Sequence, residues 1–276
     1  MRLNLLSSDT IHILYIADII GNEGYDITSS LIQDIKQKNH IHLTIANGEN
    51  SASGKGMTAR IAHAFFDIGI DVITSGNHIW DKQKFNSVLE ENPRILRPLN
   101  YPPICPGHGT YVADVEGDRV GVINLQGRSF MYPIDCPFRC ADNEISQLKS
   151  EDVHHVIVDF HAEATAEKVA MGWYLDGRVS AVIGSHTHVQ TADERILPEG
   201  TAYITDAGMT GPFHSVIGMD KDVAIQRFIS QLPSHYKVGQ GDIKCCGVIV
   251  SIDKQSGKSK SISRFQISEQ DTFRKT

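Results

Sequence analysis

Seven short apolar runs rich in β-branched residues, each ending in a polar loop, constrain the fold of this 276-residue chain more than any other feature. Runs of this length and composition predict buried strands. They lie at residues 11–18, 41–50, 72–78, 120–128, 154–161, 179–188 and 201–208. Helix-compatible segments separate many of them, at 28–38, 58–68, 81–91 and 165–175, with Thr28, Thr58 and Thr165 as predicted N-caps. This alternation predicts a layered α/β architecture.

The chain is predicted to be a single domain over residues 1–276, because no repeat, low-complexity segment or linker divides it. Residues 1–10 are expected to form an N-terminal extension. Residues 92–109, with five prolines, are expected to form a loop that serves as a lid or small inserted cap. Residues 245–267 predict a β-hairpin.

Composition narrows the classes of function. The chain is 41% hydrophobic and 21% charged, which predicts a globular core. A net charge of −7 has the wrong sign for a general nucleic-acid binder, so no stable nucleic-acid complex is expected and a phosphate ligand must be attracted locally. The sequence contains neither an apolar run near the roughly 18 residues of a membrane helix nor a signal-peptide cleavage site. We therefore expect a cytoplasmic protein with no membrane partner.

Metal-binding side chains fall where predicted strands end. Histidine, the commonest metal ligand and a frequent acid–base group, occurs 13 times. A single polar residue after a strand is commonly a turn former, but five strands ending in this way predict a metal site, since ligands bind at that edge of α/β sheets. The candidate residues are Asp18, Glu49, Asn50, Asn77, His78, His161, His186 and His188.

Two short motifs carry most of the local signal. Residues 184–188 read GSHTH, and imidazoles two residues apart leave a strand on the same side, where they can reach one metal or two adjacent metals. An exposed polar turn is the alternative interpretation. Residues 76–78 read GNH. Asn77 offers an amide oxygen to a cation, His78 points away and is free for proton transfer, and Gly76 permits close backbone approach.

These motifs resemble those of calcineurin-like metallophosphoesterases. The family's GNH block, its later histidine and its GHxH block correspond to residues 76–78, 159–161 and 184–188. Two blocks depart from the common pattern: Asp18 is followed by isoleucines instead of by the usual histidine, and Glu49 and Asn50 stand where GD is expected. These two departures, together with the sequences of segments 46–58, 159–198 and 203–212, resemble the YmdB-type branch of bacterial phosphodiesterases.

The resemblance implies an αββα sandwich of two mixed β-sheets flanked by helices, with two metal ions. One ion is expected on Asp18, Asn50 and His188, with Asn50 replacing the missing histidine. The other ion is expected on Asn77, His161 and His186. Glu49 would bridge both ions. The resemblance points to iron, exchangeable with manganese, and the mixed nitrogen and oxygen ligands also suit zinc.

The expected activity is that of a metal-dependent phosphodiesterase, a phosphoric diester hydrolase. The resemblance points to small cyclic nucleotides, above all 2′,3′-cyclic nucleotides, hydrolysed by in-line attack of a metal-bridging hydroxide. His78 is the candidate catalytic residue, protonating the leaving alkoxide. Family members are often homo-oligomers. A regulatory nucleotide- or partner-binding module with weak turnover and an RNA phosphodiesterase stay open as alternatives. Glu163 and Glu167 either orient His161 or cap the start of a helix.

Overall fold

The described part of the chain, residues 9–269 of the computed structural model, contains twelve strands and six α-helices. The strands are β1 (Thr10–Ile16), β2 (Leu43–Asn47), β3 (Val72–Thr74), β4 (Thr110–Val115), β5 (Asp118–Gln126), β6 (His155–His161), β7 (Ala181–Ser185), β8 (Arg195–Ile196), β9 (Ala202–Ile204), β10 (Gly211–Pro212), β11 (Ile243–Asp253) and β12 (Ser259–Ser268). The helices are α1 (Gly21–Lys38), α2 (Ala59–Asp67), α3 (Asn86–Glu91), α4 (Pro137–Ser150), α5 (Thr165–Leu175) and α6 (Lys221–Ser230).

Two mixed sheets form the middle of the molecule. In the first, the strand order is β10-β11-β1-β2-β3, and β12 pairs with β11. In the second, the order is β4-β5-β6-β7-β9-β8. The strands β1, β2 and β3 are parallel to one another, as are β5, β6, β7 and β9. The C-terminal residues form the predicted antiparallel hairpin of β11 and β12.

The alternation of side chains along the strands builds four layers. On β1, Ile13 and Tyr15 pack between the two sheets, whereas Leu14 and Ile16 pack with α1 and α2 on the outer face. Helices α4 and α5 cover the outer face of the second sheet. Full burial of one such aliphatic side chain contributes about 1.5–3 kcal/mol, so these three apolar layers hold the sandwich together. The predicted αββα fold class is confirmed.

Two of the predicted N-caps are wrong. Thr58 does cap α2, accepting a hydrogen bond from the Ile61 backbone N–H at 3.4 Å. Helix α5 spans the predicted residues, but its N-cap is Ala164, so Thr165 is already helical. Thr28 lies inside α1, which begins at Gly21. Its hydroxyl donates to the backbone carbonyl one turn earlier, at 2.7 Å, which satisfies it within the helix.

The segment from 81 to 109 is less regular than predicted at its start. Instead of one helix over 81–91, two 3₁₀ turns at Asn77–Asp81 and Gln83–Phe85 precede the short α3. Residues 92–109 then connect α3 to β4. Leu96 within this segment is fully buried, and its backbone N–H donates to the Ile73 carbonyl of β3 at 2.7 Å. A lid role for this segment stays a prediction.

Most of the predicted N-terminal extension, residues 1–8, lies outside the described residues, and β1 begins at Thr10. None of the helices within residues 9–269 combines the length and the apolar character needed to cross a membrane.

Candidate metal centre

The first sheet brings oxygen-bearing side chains to one edge of the molecule. Asp18 follows β1, Glu49 and Asn50 follow β2, and Asn77 lies in the turn after β3. Since these three strands are parallel, their carboxyl ends meet at the same edge. Asp18, Glu49 and Asn50 are buried, which makes their polar atoms dependent on partners within the site.

The second sheet brings imidazoles to the same edge. His161 is the last residue of β6, and His186 and His188 follow β7. Both histidines after β7 have positive φ angles, 99° for His186 and 65° for His188, a region that residues with a β-carbon seldom occupy. Gly76 is required opposite them, because a β-carbon at that position would overlap the His161 ring. The structure thus brings all the predicted site residues together.

Four donor atoms converge on one point, which we call the compact half-site: those of Glu49, Asn77, His161 and His186. His161 Nε2 lies 3.0 Å from Glu49 Oε1, 3.2 Å from Asn77 Oδ1 and 3.0 Å from His186 Nδ1. Adjacent ligands of a transition metal with bonds of about 2.1 Å are roughly 3.0–3.4 Å apart. The spacing therefore fits a single metal ion.

Burial and mutual contact shift the pKa values of the groups in the compact half-site. Burial raises the pKa of Glu49, but the His161 ring outweighs this effect and lowers the pKa to about 2. Burial lowers the pKa of His161, and the Glu49 carboxylate outweighs it and raises the pKa to about 9. Burial and the neighbouring His161 lower the pKa of His186 to about 3. The carboxylate of Glu49 and the two imidazoles are thus electrostatically coupled through His161.

Asp18, Asn50 and His188 form a second group, which we call the open half-site. His188 Nε2 lies 3.1 Å from Asn50 Nδ2 and 4.0 Å from Asp18 Oδ1. Within residues 9–269, Asp18 Oδ1 is buried and accepts no hydrogen bond. Burial raises the pKa of Asp18 well above its usual range, although His161 opposes the shift. A buried carboxylate oxygen without a partner fits a metal ligand.

His78 lies beside the centre rather than within it. Its backbone N–H donates to Glu49 Oε2 at 2.8 Å, and its ring Nδ1 lies 3.0 Å from Asp81 Oδ2. The carboxylate of Asp81 can only accept, which places a proton on Nδ1 and leaves Nε2 for exchange with a ligand. The ring lines the cavity in front of the site.

A buried polar chain that the sequence analysis missed orients His161. His161 Nδ1 lies 3.0 Å from the Ser185 hydroxyl, which donates to Asp159 Oδ1 at 2.6 Å. The other oxygen of Asp159 accepts from the hydroxyls of Tyr15 at 2.8 Å and Thr74 at 2.5 Å. The only local signal is that Asp159 and Ser185 stand beside the histidine motifs.

A second missed support is an ion pair beneath the His186–His188 turn. Lys168 Nζ lies 2.5 Å from Asp206 Oδ2, and both side chains are buried. The same carboxylate oxygen accepts from the backbone N–H of Thr187 at 3.0 Å and from its hydroxyl at 2.8 Å. The turn between the two histidines is therefore anchored from α5 and from the loop after β9.

Among the described residues, neither glutamate after β6 forms a hydrogen bond or an ion pair with His161, so the first of the two expected roles is wrong, whereas Glu167 does lie in the first turn of α5, as the second role requires. Glu163 Oε2 lies 3.1 Å from His186 Nε2. Glu167 accepts hydrogen bonds from the backbone N–H groups of Arg128 and Ser129, between 3.0 and 3.1 Å. Glu163 thus contacts a different histidine, His186, and Glu167 fixes a loop beside the site.

A cavity of about 580 Å³ opens in front of the centre, within the size range of small-molecule sites. Glu49, Asn50, His186 and His188 form its floor. Its walls combine cationic and apolar residues, among them Lys55, Ile217, Arg227, Phe228 and Tyr236.

A mixed-sheet sandwich with imidazole, amide and carboxylate groups at the strand ends has the architecture of the calcineurin-like phosphoesterases. A 5′-nucleotidase precursor from Thermus thermophilus shares this fold, with a TM-score of 0.60 and 13% identity over 96% of this chain and 57% of that one.

Proteins with higher sequence identity to this chain show the family to which it belongs. The family model for YmdB-like proteins matches residues 14–265, so the chain belongs to the YmdB-like family. A 2′,3′-cyclic-nucleotide 2′-phosphodiesterase of Bacillus subtilis (strain 168) is 46% identical, over 95% of this chain and 98% of its own. A crystal structure of a novel phosphatase from Mycoplasma pneumoniae has a TM-score of 0.89 and 33% identity, covering 94% of each chain. The predicted family and the predicted class, a phosphodiesterase-type hydrolase, are confirmed.

Proposed function

We propose that this protein is a two-metal phosphodiesterase that hydrolyses small cyclic nucleotides, with 2′,3′-cyclic nucleotides as its substrates. The observation that carries the proposal is the compact half-site, where two imidazoles, an amide and a carboxylate converge at the floor of a small-molecule cavity. The Bacillus subtilis relative named for this activity supports the choice of substrate.

The residues present fit two metal ions. Glu49, Asn77, His161 and His186 would hold one ion. Asp18, Asn50 and His188 would hold the other, with the unpaired Oδ1 of Asp18 as a ligand atom. Glu49 Oε1 lies 3.0 Å from His161 Nε2 and 3.5 Å from Asn50 Nδ2, a position between the two half-sites that suits a bridging ligand. Mixed nitrogen and oxygen donors favour iron, manganese or zinc over calcium or magnesium.

Bound metal ions would supply Lewis acidity and an activated water at neutral pH. Four positive charges from two divalent ions exceed the two negative charges of Asp18 and Glu49. With both ions bound, the surplus would attract a phosphodiester anion despite the net charge of −7. That net charge also favours a small substrate over a long nucleic acid.

We assign the protonation of the leaving oxygen to His78. Asp81 holds Nδ1, and the ring borders the cavity next to Asn77 and Glu49. In its imidazolium form, with the Nδ1 proton held by Asp81, the ring would give its Nε2 proton to the alkoxide as the bond to phosphorus breaks and would be left as the neutral imidazole. General acid catalysis of this kind contributes about 10²–10⁴-fold in rate.

The test is hydrolysis of 2′,3′-cyclic AMP by iron- or manganese-loaded protein, compared with His78→Ala. We expect the substitution to lower the rate of hydrolysis of the cyclic nucleotide by roughly 10²–10⁴-fold. The rate for an activated aryl phosphodiester should fall far less, because an aryl oxide leaves without a proton. An equal loss on both substrates would refute the acid role. Tight binding of the cyclic nucleotide without turnover by loaded wild-type protein would refute the enzymatic proposal and favour a regulatory module.

A further inference from the structure

We propose, on the basis of the function proposed above, that the centre also hydrolyses acyclic phosphodiesters with a ring system on each side, namely dinucleoside monophosphates. One nucleobase would lie in the large cavity. The other would stack on an aromatic loop formed by residues 127–135. The observation behind the proposal is that two separate pockets meet at the metal centre.

The two pockets share one site residue. The cavity of about 580 Å³ lies on the His78 and His188 side of the centre. A second pocket of about 320 Å³ is lined by Asn77 and by residues of the aromatic loop. His186 lines both pockets, so the two pockets adjoin at the centre and a phosphorus atom held there borders both. Both volumes lie within the range of small-molecule sites.

The aromatic loop presents its rings outward. Phe130 is 92% exposed and Tyr132 is 69% exposed, and both line the smaller pocket. Phe130 also has a φ of 61°, a conformation that costs energy and is found mainly where a neighbouring group or a function requires it. Exposed rings grouped beside a polar centre form a surface that is suited to a flat apolar ligand.

The backbone at both ends of the loop is held beside the metal centre. The Gly127 backbone N–H donates to the carbonyl of His161 at 3.0 Å. Glu167 holds the next two backbone N–H groups, and the Asp135 N–H donates to the Asn100 carbonyl at 3.2 Å. Anchoring at both ends lowers the cost of ordering the loop when a ligand binds.

The larger cavity also offers ring contacts. Phe228 and Tyr236 line it, and Lys55 Nζ lies 5.8 Å from the centre of the Tyr236 ring. A base can stack there beside the cation. A 2′,3′-cyclic nucleotide carries both ester oxygens on one ribose, so it fills the larger cavity alone. An acyclic diester has two substituents that diverge from phosphorus, and each would have a pocket of its own.

The reaction is a simple hydrolysis. The oxygen of one water forms a bond to phosphorus, and the bond from phosphorus to one ribose oxygen breaks. That ribose oxygen receives a proton and leaves as a nucleoside. The product that keeps the phosphorus is a nucleoside monophosphate.

The test compares adenylyl-adenosine with 2′,3′-cyclic AMP on manganese-loaded wild type, Phe130→Ala and Tyr132→Ala. We expect hydrolysis of both substrates by wild type. Loss of either ring should raise the KM for the dinucleotide about 10-fold, since one base–aromatic stack is lost, and raise the KM for the cyclic nucleotide far less. Ile104→Ala is the matched control, because Ile104 is 93% exposed and is not among the residues that line either pocket.

A second measurement does not depend on turnover. Saturation-transfer NMR with the phosphorothioate analogue of adenylyl-adenosine should show contacts from both bases in wild type and from one base in the Phe130→Ala, Tyr132→Ala double variant. Hydrolysis of the cyclic nucleotide alone, or equal KM changes for both substrates, would overturn the two-pocket inference and leave the proposed function standing. Turnover of neither substrate by the loaded wild type would instead overturn the proposed function.

Discussion

The two half-sites of the centre contain similar side chains but are built differently. In the compact half-site, three donor atoms lie within 3.2 Å of His161 Nε2. In the open half-site, His188 Nε2 lies 3.1 Å from Asn50 Nδ2 and 4.0 Å from Asp18 Oδ1. One group is already close to the spacing of a coordinated ion, and the other must contract around it.

The supports behind the two histidines explain this difference. His161 is oriented by Ser185 and Asp159, and Asp159 accepts hydrogen bonds from side chains of β1 and β3 in the opposite sheet. His188 Nδ1 instead lies 2.8 Å from the backbone carbonyl of Ile217, a residue in an exposed loop. Buried partners fix the orientation of a ligand, so we expect the compact half-site to bind its ion more tightly.

The largest effect is expected from Glu49→Gln, because Glu49 is placed between both half-sites. Removal of its charge should lower kcat/KM by roughly 10³-fold and reduce the content of both ions, as a metal's charge stabilisation contributes several kcal/mol. Steady-state kinetics with 2′,3′-cyclic AMP and elemental analysis measure the two effects. Glu90→Gln, at an exposed position of α3, is the control. A Glu49→Gln variant with both ions and full activity would refute the dinuclear assignment.

A smaller and asymmetric effect is expected from removing one histidine at a time. His188→Ala should weaken only the second of two binding steps, by more than roughly 100-fold, and keep one tight ion in the compact half-site. His161→Ala should abolish the tight step. Calorimetric titration with Mn²⁺ resolves the two steps. If both variants lose the same step, the two half-sites do not differ as the structure indicates.

Sequence reasoning could find the residues of both half-sites because each lies at or just after the end of a strand. Asp18, Asn77 and His161 are local features, found by locating an apolar run and reading the polar residue after it. Parallel pairing then brings the strand ends to one edge. The layered α/β class and the list of candidate residues follow from this local pattern, whereas the αββα sandwich and the division into two ion sites were implied by the family resemblance.

The sequence did not reveal the buried side chains that support the site, because they join distant parts of the chain. Asp159 and Tyr15 are 144 residues apart, and Lys168 and Asp206 are 38 apart. A lysine within a predicted helix is normally expected to be exposed to solvent. The residues around Lys168 in the sequence do not indicate that it is buried against a carboxylate. Such pairs are set by tertiary packing alone.

The sequence analysis also missed two elements, helix α6 and strand β4, because their local patterns are weak. Helix α6 carries Phe228 and Ile229 at exposed positions, which blurs the apolar periodicity that marks a helix facing a core. Strand β4 is only partly buried along its length and begins directly after the proline-rich segment, so the sequence gives little contrast at its start. The formation of α6 and of β4 is therefore determined by contacts with the rest of the fold rather than by their local sequence.

The smallest effect on metal binding is expected from Ser185→Ala, which tests most directly why the two half-sites differ. The change removes the hydroxyl between His161 and Asp159 but leaves every proposed ligand in place. Loss of a group that orients a metal-binding histidine typically costs 10–100-fold in metal affinity, so the tight step should weaken by about that factor while the second step is retained.

Ser180→Ala is the matched control, since Ser180 is also buried, lies just before the same strand, and donates to the Gly257 carbonyl at 2.7 Å, away from the centre. Urea unfolding of both variants corrects for any general loss of stability. A similar loss of affinity in both variants, or weakening of the second step instead of the first, would contradict the assignment of the support to the compact half-site. A loss confined to Ser185→Ala and to the tight step would mean that the buried polar chain, and not the ligands alone, makes this half-site the tighter one.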